Sequence, residues 1–322
     1  MITFIIRRLL ITIPLLFGIT IISFLIINLA PGGQVALPGT ELNPGLNPHV
    51  REMIARQFHF DKPLYQQYFL TMRDMFTGQL VSFKDNTSAI LKVLERLPAT
   101  LSLSVMAFLI SFGGSLPLGI YASQHRGRWQ DRVVSIVSFA LISLPTFWVA
   151  YMLVLFLVQF WHVPVLGTHT FGVEFTNSFS SFVDFTWHVF LPALTLGLGG
   201  IAIQSRYMRA SMVEAMNEDY IRTARAKGLP ESKVAYKHAL RNSLRPIVTF
   251  IGYLLPEFLG GAVIIEQIFG YPGMGRLTFQ ALLERDMPII MVSLTIGSIL
   301  VLLGNLIADV LYAVVDPRVR PS

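Results

Sequence analysis

Most of this chain consists of long apolar runs that alternate with shorter polar stretches. An α-helix rises about 1.5 Å per residue, so roughly 20 apolar residues cross the hydrocarbon core of a bilayer. A run of this length and composition is therefore typical of a spanning helix. The pattern predicts an all-α polytopic membrane protein with six transmembrane helices, at 9–29, 97–123, 133–161, 189–205, 247–265 and 288–308.

The composition supports a membrane protein. Of the 322 residues, 53% are hydrophobic and 14% are charged, whereas soluble domains carry about 25% charged residues. The mean hydropathy is +0.59. Cysteine is absent, which excludes disulfides, thiolate zinc sites, iron–sulfur clusters and cysteine nucleophiles.

The basic residues indicate the topology. If the N-terminus lies inside, the inside segments hold 16 of the 25 Lys and Arg residues, and the short outside loop 162–188 holds none. Because Lys and Arg favour the cytoplasmic side of a membrane, both termini are predicted to be cytoplasmic. The net charge of +6 follows from this distribution, so we expect no nucleic-acid partner.

The chain divides into four predicted regions. Residues 1–30 form the first transmembrane helix, which we interpret as retained rather than as a cleaved signal peptide. Residues 31–96 are an external region, 97–313 are a core of five helices, and 314–322 are a cytoplasmic tail. Within the external region, a helical pattern from Val50 to Met75 predicts one or two short helices. They form either a packing lid or a docking surface.

A polar helical hairpin is predicted at residues 214–246, on the cytoplasmic side between the fourth and fifth spans. Asn217 or Asp219 can cap its first helix, and Gly228 can end it because glycine adopts the left-handed conformation at little cost. Pro230 suits the first turn of a second helix. One face of that helix carries Val234, Leu240 and Leu244.

Motifs of enzymes and nucleotide-binding proteins are absent. No G-x-x-x-x-G-K-[ST] sequence occurs, and the glycine-rich stretch 270–275 lacks its lysine and is predicted to be a turn. Neither H-E-x-x-H nor G-x-S-x-G occurs. His162, His169 and His188 lie in or beside one outside loop, but without carboxylates at ligand spacing we expect no metal site. The chain is therefore not expected to be an enzyme.

Polar side chains within the spans are the remaining candidates. Glu257 lies roughly 15 Å into the fifth span, and it either lines the translocation path or is a buried carboxylate bonded to neighbouring helices. Asn305 and Asp309 share a face near the inner end of the sixth span. We favour interhelical contacts for this pair and keep Asn305 as a second path candidate. Gln204 is expected at the membrane interface.

Several stretches resemble one family of transport proteins. DYIRTARAKGL followed by HALRNSLRP is similar to the coupling-helix signature of ATP-binding-cassette importer permeases, in which Ala224, Gly228 and Leu240 match the general form. The amino-acid sequence of this segment resembles more narrowly that of the dipeptide, oligopeptide and nickel uptake branch. Further similar stretches are RRLLITIPLLFGITIISFLIINLAPGG, RLPATLSLSVMAFLISFGGSLPLGIYAS, GGAVIIEQIFGYPGMGRLTFQAL and DVLYAVVDPRVR. The lack of a long N-terminal extension before the first helix resembles the B-type rather than the C-type subunit of this branch.

This resemblance implies a type I importer fold and a bacterial inner-membrane location. The implied partners are a second, similar permease, two cytoplasmic ATPases and an external solute-binding protein. The chain itself is expected to bind no cofactor, since ATP and Mg belong to the ATPases. The resemblance assigns contact with the ATPases to Arg222, Thr223, Ala224, Arg225, Lys227, Gly228 and Leu229.

The predicted function is the membrane-spanning subunit of an ATP-driven importer of dipeptides or oligopeptides. In this mechanism the ATPases move the hairpin, and the hairpin carries the fourth and fifth helices with it. Two alternatives are a nickel-chelate importer of the same branch and an ion-coupled secondary transporter, which would use Glu257 and Pro256 in a broken helix. An intramembrane enzyme or a structural scaffold fits the sequence less well.

Overall fold

The computed structural model describes residues 2–29, 55–174, 177–244, 247 and 262–315. Within these ranges the regular secondary structure is helical, apart from one isolated β-bridge between Val81 and Ser88, and turns and loops connect the helices. The helices are α1 (Ile2–Leu29), α2 (Leu64–Phe76), α3 (Ala89–Gln124), α4 (Trp129–Ser143), α5 (Thr146–Trp161), α6 (Ser178–Ala215), α7 (Asp219–Ala226), α8 (231–244), α9 (262–268), α10 (Met274–Glu284) and α11 (Met287–Val315).

Four of these helices are long and apolar enough to cross a membrane, over Ile6–Leu29, Ala89–Gln124, Ser178–Ala215 and Met287–Val310. They contain the first, second, fourth and sixth predicted spans. Of the fifth span, 247–265, the structure describes residues 247 and 262–265. The prediction of an all-α polytopic membrane protein is therefore confirmed, while the count of six helices stays a prediction.

The predicted third span, 133–161, is not one continuous helix. Its residues lie in α4 and α5, which meet at an angle of 100°. The break falls at Leu144, whose extended backbone (φ −89°, ψ 130°) precedes Pro145. A residue before proline is sterically disfavoured from the α conformation, and proline lacks the N–H that would continue the helix.

The α3 and α6 helices form the central pair and run in the same direction. Their contact contains a buried amide: Gln204 Nε2 donates to Ser111 Oγ (2.8 Å), and Gln204 Oε1 accepts from Ser115 Oγ (3.0 Å). Gln204 is fully buried between the two helices, and its expected place at the membrane interface stays a prediction. An amide in an apolar bundle is stabilised when both its oxygen and its nitrogen are bonded, and here the two bonds join α6 to α3.

Residues 55–88, which are predicted to be external, pack as a lid over α1 and α11. Tyr68, Met72 and Met75 of α2 are buried in one apolar cluster with Phe24 of α1 and with α11. The Tyr68 hydroxyl also lies 2.8 Å from Thr20 Oγ1. The packing lid, one of the two alternatives for this region, is therefore present in residues 55–88. Docking of a partner there stays a prediction.

Candidate functional site: the hairpin between α6 and the fifth span

The first arm of the hairpin begins where α6 leaves the membrane. The α6 helix runs 10 residues beyond its predicted apolar span, to Ala215, and α7 begins at Asp219. The predicted cap was wrong, because Glu218 occupies the N-cap and no side chain caps the helix. Asn217 instead donates to the backbone oxygen of Val213, 2.9 Å away. Asp219 lies in the first turn, where its charge favours the helix dipole.

The end of α7 confirms the role predicted for Gly228. This residue has φ +72°, a conformation that a Cβ atom disfavours. Its N–H donates to the oxygen of Arg225 (2.9 Å), and the N–H of Leu229 reaches the oxygen of Ala224 (3.4 Å). This pair of bonds is a Schellman motif, which satisfies the last carbonyls of a helix and reverses the chain.

The second arm, α8, begins after Pro230 and contains a π-helical segment. Pro230 is the N-cap rather than a residue of the first turn. Residues Val234–Ala239 form a π-helical segment, which shifts the phase of the buried face by about one residue. Val234, Leu240 and Leu244 still pack into one cluster, as predicted.

The hairpin is attached to α6 through its buried side. Ile221 of α7, Val234 of α8, and Met208 and Met212 of α6 are fully buried in the same cluster. Two hydrogen bonds reinforce this contact: Ser211 Oγ donates to the oxygen of Ser243 (3.1 Å), and Ser243 Oγ donates to the oxygen of Ser211 (3.2 Å). A force applied to the hairpin therefore acts directly on α6.

The seven residues assigned to ATPase contact do not all face outward. Ala224 is buried in the cluster and Leu229 is half-buried against it, so both support the hairpin from within. The other residues of the set are exposed: Arg222, Thr223, Arg225, Lys227 and Gly228. These five form the surface available to a partner, and their contact with an ATPase stays a prediction.

The exposed surface is cationic and braced by local ion pairs. Arg225 donates to both carboxylate oxygens of Glu231, at 2.7 and 3.2 Å, across the Gly228 turn. The guanidinium holds the pKa of Glu231 below its usual range. Arg222 lies 3.3 Å from Asp219 on the same helix. Exposed pairs of this kind contribute little stability, so the turn geometry and the buried face hold the hairpin together.

A second contact joins α6 to α4 and to the loop between α3 and α4. Arg209 of α6 binds Asp131 at the start of α4 in a bidentate pair, with Nη2 at 2.7 Å from Oδ2. The N–H of Gly127 donates to the same carboxylate at 2.9 Å. The hydrogen bonds from Arg209 lower the pKa of Asp131. The carboxylate thereby connects α4, α6 and the loop between α3 and α4.

The polar residues predicted within the spans have different surroundings. Glu257 and Pro256 lie outside the described residues, so both alternatives for Glu257 remain open. Asp309 of α11 pairs with Arg8 of α1 at 2.9 Å, which is the interhelical contact expected for this pair. Asn305 is exposed on α11, and its place in a translocation path stays a prediction.

The histidines near the outer face lie apart from any cluster of carboxylates. His188 is fully buried, with Nδ1 2.8 Å from the backbone oxygen of Asp184. His169 Nε2 lies 3.4 Å from Ser181 Oγ. Among the residues that the structure describes, no group of three or more His, Cys, Asp and Glu side chains is placed to hold a metal ion.

One buried carboxylate was missed by the sequence analysis. Glu266 of α9 lies one residue past the predicted fifth span, is fully buried and accepts a hydrogen bond from Thr100 of α3 at 2.8 Å. A signal for it was present, because the charge stands between an apolar span and the glycine-rich stretch 270–275. That stretch leads through a turn into α10, whose first residue is Met274.

These features define a multi-span membrane protein that presents a rigid polar hairpin to one side of the bilayer. Residues 115–321 match the family of binding-protein-dependent transport system inner membrane components. Residues 1–104 match the N-terminal region of the membrane components of such systems. The chain belongs to this family of permeases, whose members are subunits of ATP-binding-cassette importers.

Several characterised relatives match over nearly the whole chain. The oligopeptide transport system permease protein AppB of Bacillus subtilis (strain 168) is 38% identical, over 99% of this chain and 100% of the relative. The dipeptide transport system permease protein DppB of Escherichia coli (strain K12) is 33% identical over 99% of each chain. The glutathione transport system permease protein GsiC of Shigella flexneri serotype 5b (strain 8401) is 34% identical over 99% of each chain.

Proposed function

We propose that this chain forms half of the translocation path of an ATP-driven importer of dipeptides or oligopeptides. Its partners are a second, similar permease, two cytoplasmic ATPases that bind ATP and Mg, and an external solute-binding protein. Both termini and the hairpin lie on the cytoplasmic side. The names of the relatives support peptides as the substrate class, and the distribution of Lys and Arg supports the orientation.

One structural observation carries the coupling mechanism. The hairpin presents exposed cations on one side, while its other side is buried against α6. An ATPase that binds the exposed side more tightly in one nucleotide state shifts the equilibrium between conformations by that difference in contact free energy. The α6 helix and the fifth span then move together, and the path opens alternately to the two sides of the membrane.

The test is a bulky residue at position 228. A Cβ at Gly228 meets no atom within 4 Å in this chain, so a larger side chain projects into the space where the ATPase would bind. In the reconstituted complex we expect Gly228→Leu to reduce uptake about tenfold, equivalent to ~1.4 kcal/mol, while ATP hydrolysis continues. Purification of the whole complex checks that the variant assembles.

The matched control is Gly172→Leu. Gly172 has nearly the same backbone conformation (φ +77°) and equally open surroundings, but it lies in the predicted outside loop. Gly172→Leu should retain uptake within about twofold, because its backbone strain is similar and the ATPase is absent there. Normal uptake by Gly228→Leu would contradict the mechanism, as would uptake by the wild type that survives ATP depletion under a proton gradient.

The substrate class needs a separate experiment. Proteoliposomes containing the complex and its solute-binding protein should accumulate a labelled dipeptide or oligopeptide when ATP is enclosed with the ATPases. Unlabelled peptides, glutathione and a nickel chelate are then compared as competitors. Competition by the nickel chelate alone would overturn the peptide assignment and leave the ATP-driven mechanism intact.

A further inference from the structure

The Glu266 carboxylate joins three helices at the outer end of the fifth span. Oε1 accepts from Thr100 Oγ1 of α3 (2.8 Å), and Oε2 accepts from the backbone N–H of Arg276 in α10 (2.7 Å). Thr100 Oγ1 in turn accepts from the N–H of Met274 (2.7 Å). The carboxyl group therefore lies at the N-terminus of α10, beside N–H groups that have no partner within the helix.

The segment between α9 and α10 folds back onto the same place. The N–H of Tyr271 donates to the backbone oxygen of Glu266 (2.8 Å), and the Tyr271 hydroxyl lies 2.9 Å from Ser102 Oγ of α3. Phe269 and Tyr271 are fully buried. The oxygen of Phe269 accepts from Gly167, in the loop after α5, at 2.9 Å. The segment is thus held by α3, α9 and an external loop.

Gly273 leaves room for the carboxylate. A Cβ at this position would lie 2.2 Å from the carboxylate carbon and one oxygen of Glu266. The absence of a side chain therefore lets the backbone lie directly against the carboxyl group. This close approach makes the position of the segment depend on Glu266.

The segment also connects two separate apolar clusters. Phe269 and Tyr271 belong to the cluster around α3 and α6, whereas Met274 and Ala281 belong to the cluster of α1, α2 and α11. Separating the segment from α3 would leave a buried carboxylate with fewer partners, which is strongly unfavourable. These contacts are therefore expected to persist while the protein changes conformation.

We infer that Glu266 is a positioning residue that fastens the outer ends of α3, α9 and α10 into one rigid body. The inference rests on the proposed transport function. The hairpin is joined to α6 by Ser211 and Ser243, α6 is joined to α3 by Gln204, and α3 is joined to the outer segment by Thr100 and Glu266. Movement imposed at the cytoplasmic hairpin thereby reaches the outer face, where the solute-binding protein delivers its ligand.

The first test replaces Glu266 in the reconstituted complex. We expect Glu266→Ala to reduce uptake at least about tenfold and Glu266→Gln to have a smaller effect, because an amide can keep part of the hydrogen bonding. The control is Glu284→Gln at the other end of α10, where an exposed carboxylate pairs with Lys84. This control should stay within about twofold of the wild type.

The ratio of the stimulated to the basal ATPase rate distinguishes a positioning role of Glu266 from a general loss of folded complex. If Glu266 transmits movement, Glu266→Gln lowers the rate stimulated by the solute-binding protein more than the basal rate. An equal fall of both rates, which a loss of folded complex would produce, overturns the inference. The inference is also overturned if the variant keeps both normal uptake and the wild-type ratio of stimulated to basal ATPase rate.

A crosslink tests whether the outer contact persists. The chain contains no cysteine, so Thr100→Cys and Met274→Cys introduce a single pair, at a place where the Met274 N–H donates to the Thr100 hydroxyl at 2.7 Å. The reduced variant lacks this hydroxyl and its bond to Glu266, and the disulfide supplies a new link between α3 and α10. The rigid body therefore predicts that the pair forms a disulfide and that the oxidised complex transports at least as fast as the reduced one. Failure to form the bond, or uptake that stops on oxidation and returns on reduction, overturns it. Absence of ATP-driven uptake by the wild type would instead refute the proposed function.

Discussion

The hairpin around Gly228 and the Glu266 segment are both turns between helices, but they are held in different ways. At the hairpin, the Gly228 turn is closed by residues five or fewer positions apart, and the Arg225–Glu231 pair spans 6 positions. At the Glu266 segment, Thr100 and Glu266 are 166 positions apart, and Ser102 and Tyr271 are 169 apart. The first region has a locally encoded shape and an open surface, whereas the second exists only after distant helices have packed.

This difference matches what each region has to do. A surface that binds and releases a soluble partner needs exposed charge and a shape that remains without the partner. A contact that transmits movement through a bundle needs buried bonds that stay formed throughout the cycle. The same type of substitution should therefore have different costs at the two places.

The largest effect is expected for Gly273→Ala. The added Cβ overlaps the Glu266 carboxylate, which is buried and cannot move without losing its partners, so we expect a loss of about 3 kcal/mol. Thermal unfolding of the purified complex measures it. Gly199→Ala is the control, because a Cβ there meets no atom within 4 Å and the residue lies inside α6. Equal stability of the two variants would mean that the outer contact is loose.

Asp131→Asn should have the next largest effect and tests whether the cytoplasmic side also depends on a distant contact. Asp131 and Arg209 are 78 positions apart, and Asp131 is only 4% exposed. Removing its charge leaves Arg209 without its carboxylate partner, at a cost of about 2 kcal/mol. Unfolding of the complex at pH 7 measures the loss, with Asp219→Asn at an exposed carboxylate as the control.

The pH dependence of this contact has a defined direction. The pKa of Asp131 is lowered in the folded protein, chiefly by hydrogen bonds from Arg209. Its stabilisation is therefore fully present above the unfolded pKa of about 4 and is lost as the pH falls through the lower folded value. Wild type and Asp131→Asn should converge in stability only in that acidic range, and convergence near neutral pH would contradict the assignment.

Gly228→Ala is expected to lower the stability of the complex less than Gly273→Ala or Asp131→Asn. The new Cβ meets no neighbour, so only the left-handed backbone conformation opposes it, at about 1 kcal/mol. Gly228→Asn should recover part of this loss, because asparagine tolerates that conformation better than alanine. Unfolding of the assembled complex compares the three proteins. A loss as large as that of Gly273→Ala would show that the hairpin is not locally encoded.

The features predictable from sequence were those with local causes. Apolar runs predicted the helices of four spans, and glycine predicted the end of α7, because length, hydropathy and backbone conformation act within a few residues. The break at Leu144 was also locally signalled, since Pro145 follows it, but the uninterrupted apolar run favoured a single helix. The predicted cap of α7 was wrong because Glu218 occupies the N-cap position and forms no capping hydrogen bond through its side chain.

The features that could not be predicted depend on pairing between distant residues. The burial of Gln204 could not be predicted from its position at the end of an apolar run, because it depends on hydrogen bonds with Ser111 and Ser115 of α3. Glu266 lay just past a span and was not singled out, because nothing near it in sequence indicates Thr100 as its partner. In the same way, the buried position of Ala224 follows from packing against α6, which the motif does not contain.

Glu231→Gln should have the smallest effect, and it tests whether the shape of the hairpin depends on the exposed pair of Arg225 and Glu231. The pKa of Glu231 is lowered by its hydrogen bonds from Arg225, so this contact stabilises the fold above the unfolded pKa and is lost as the pH falls through the folded value. The pair is complete at pH 7, but both side chains are exposed and solvent screens them. We expect the unfolding midpoint of the complex to fall by less than about 2 °C at pH 7 and to match the wild type at acidic pH, below the lowered folded pKa. Uptake should stay within about twofold, since the Schellman motif and the buried face keep the hairpin in place. A large fall in uptake with unchanged stability would instead place Glu231 in contact with the ATPase.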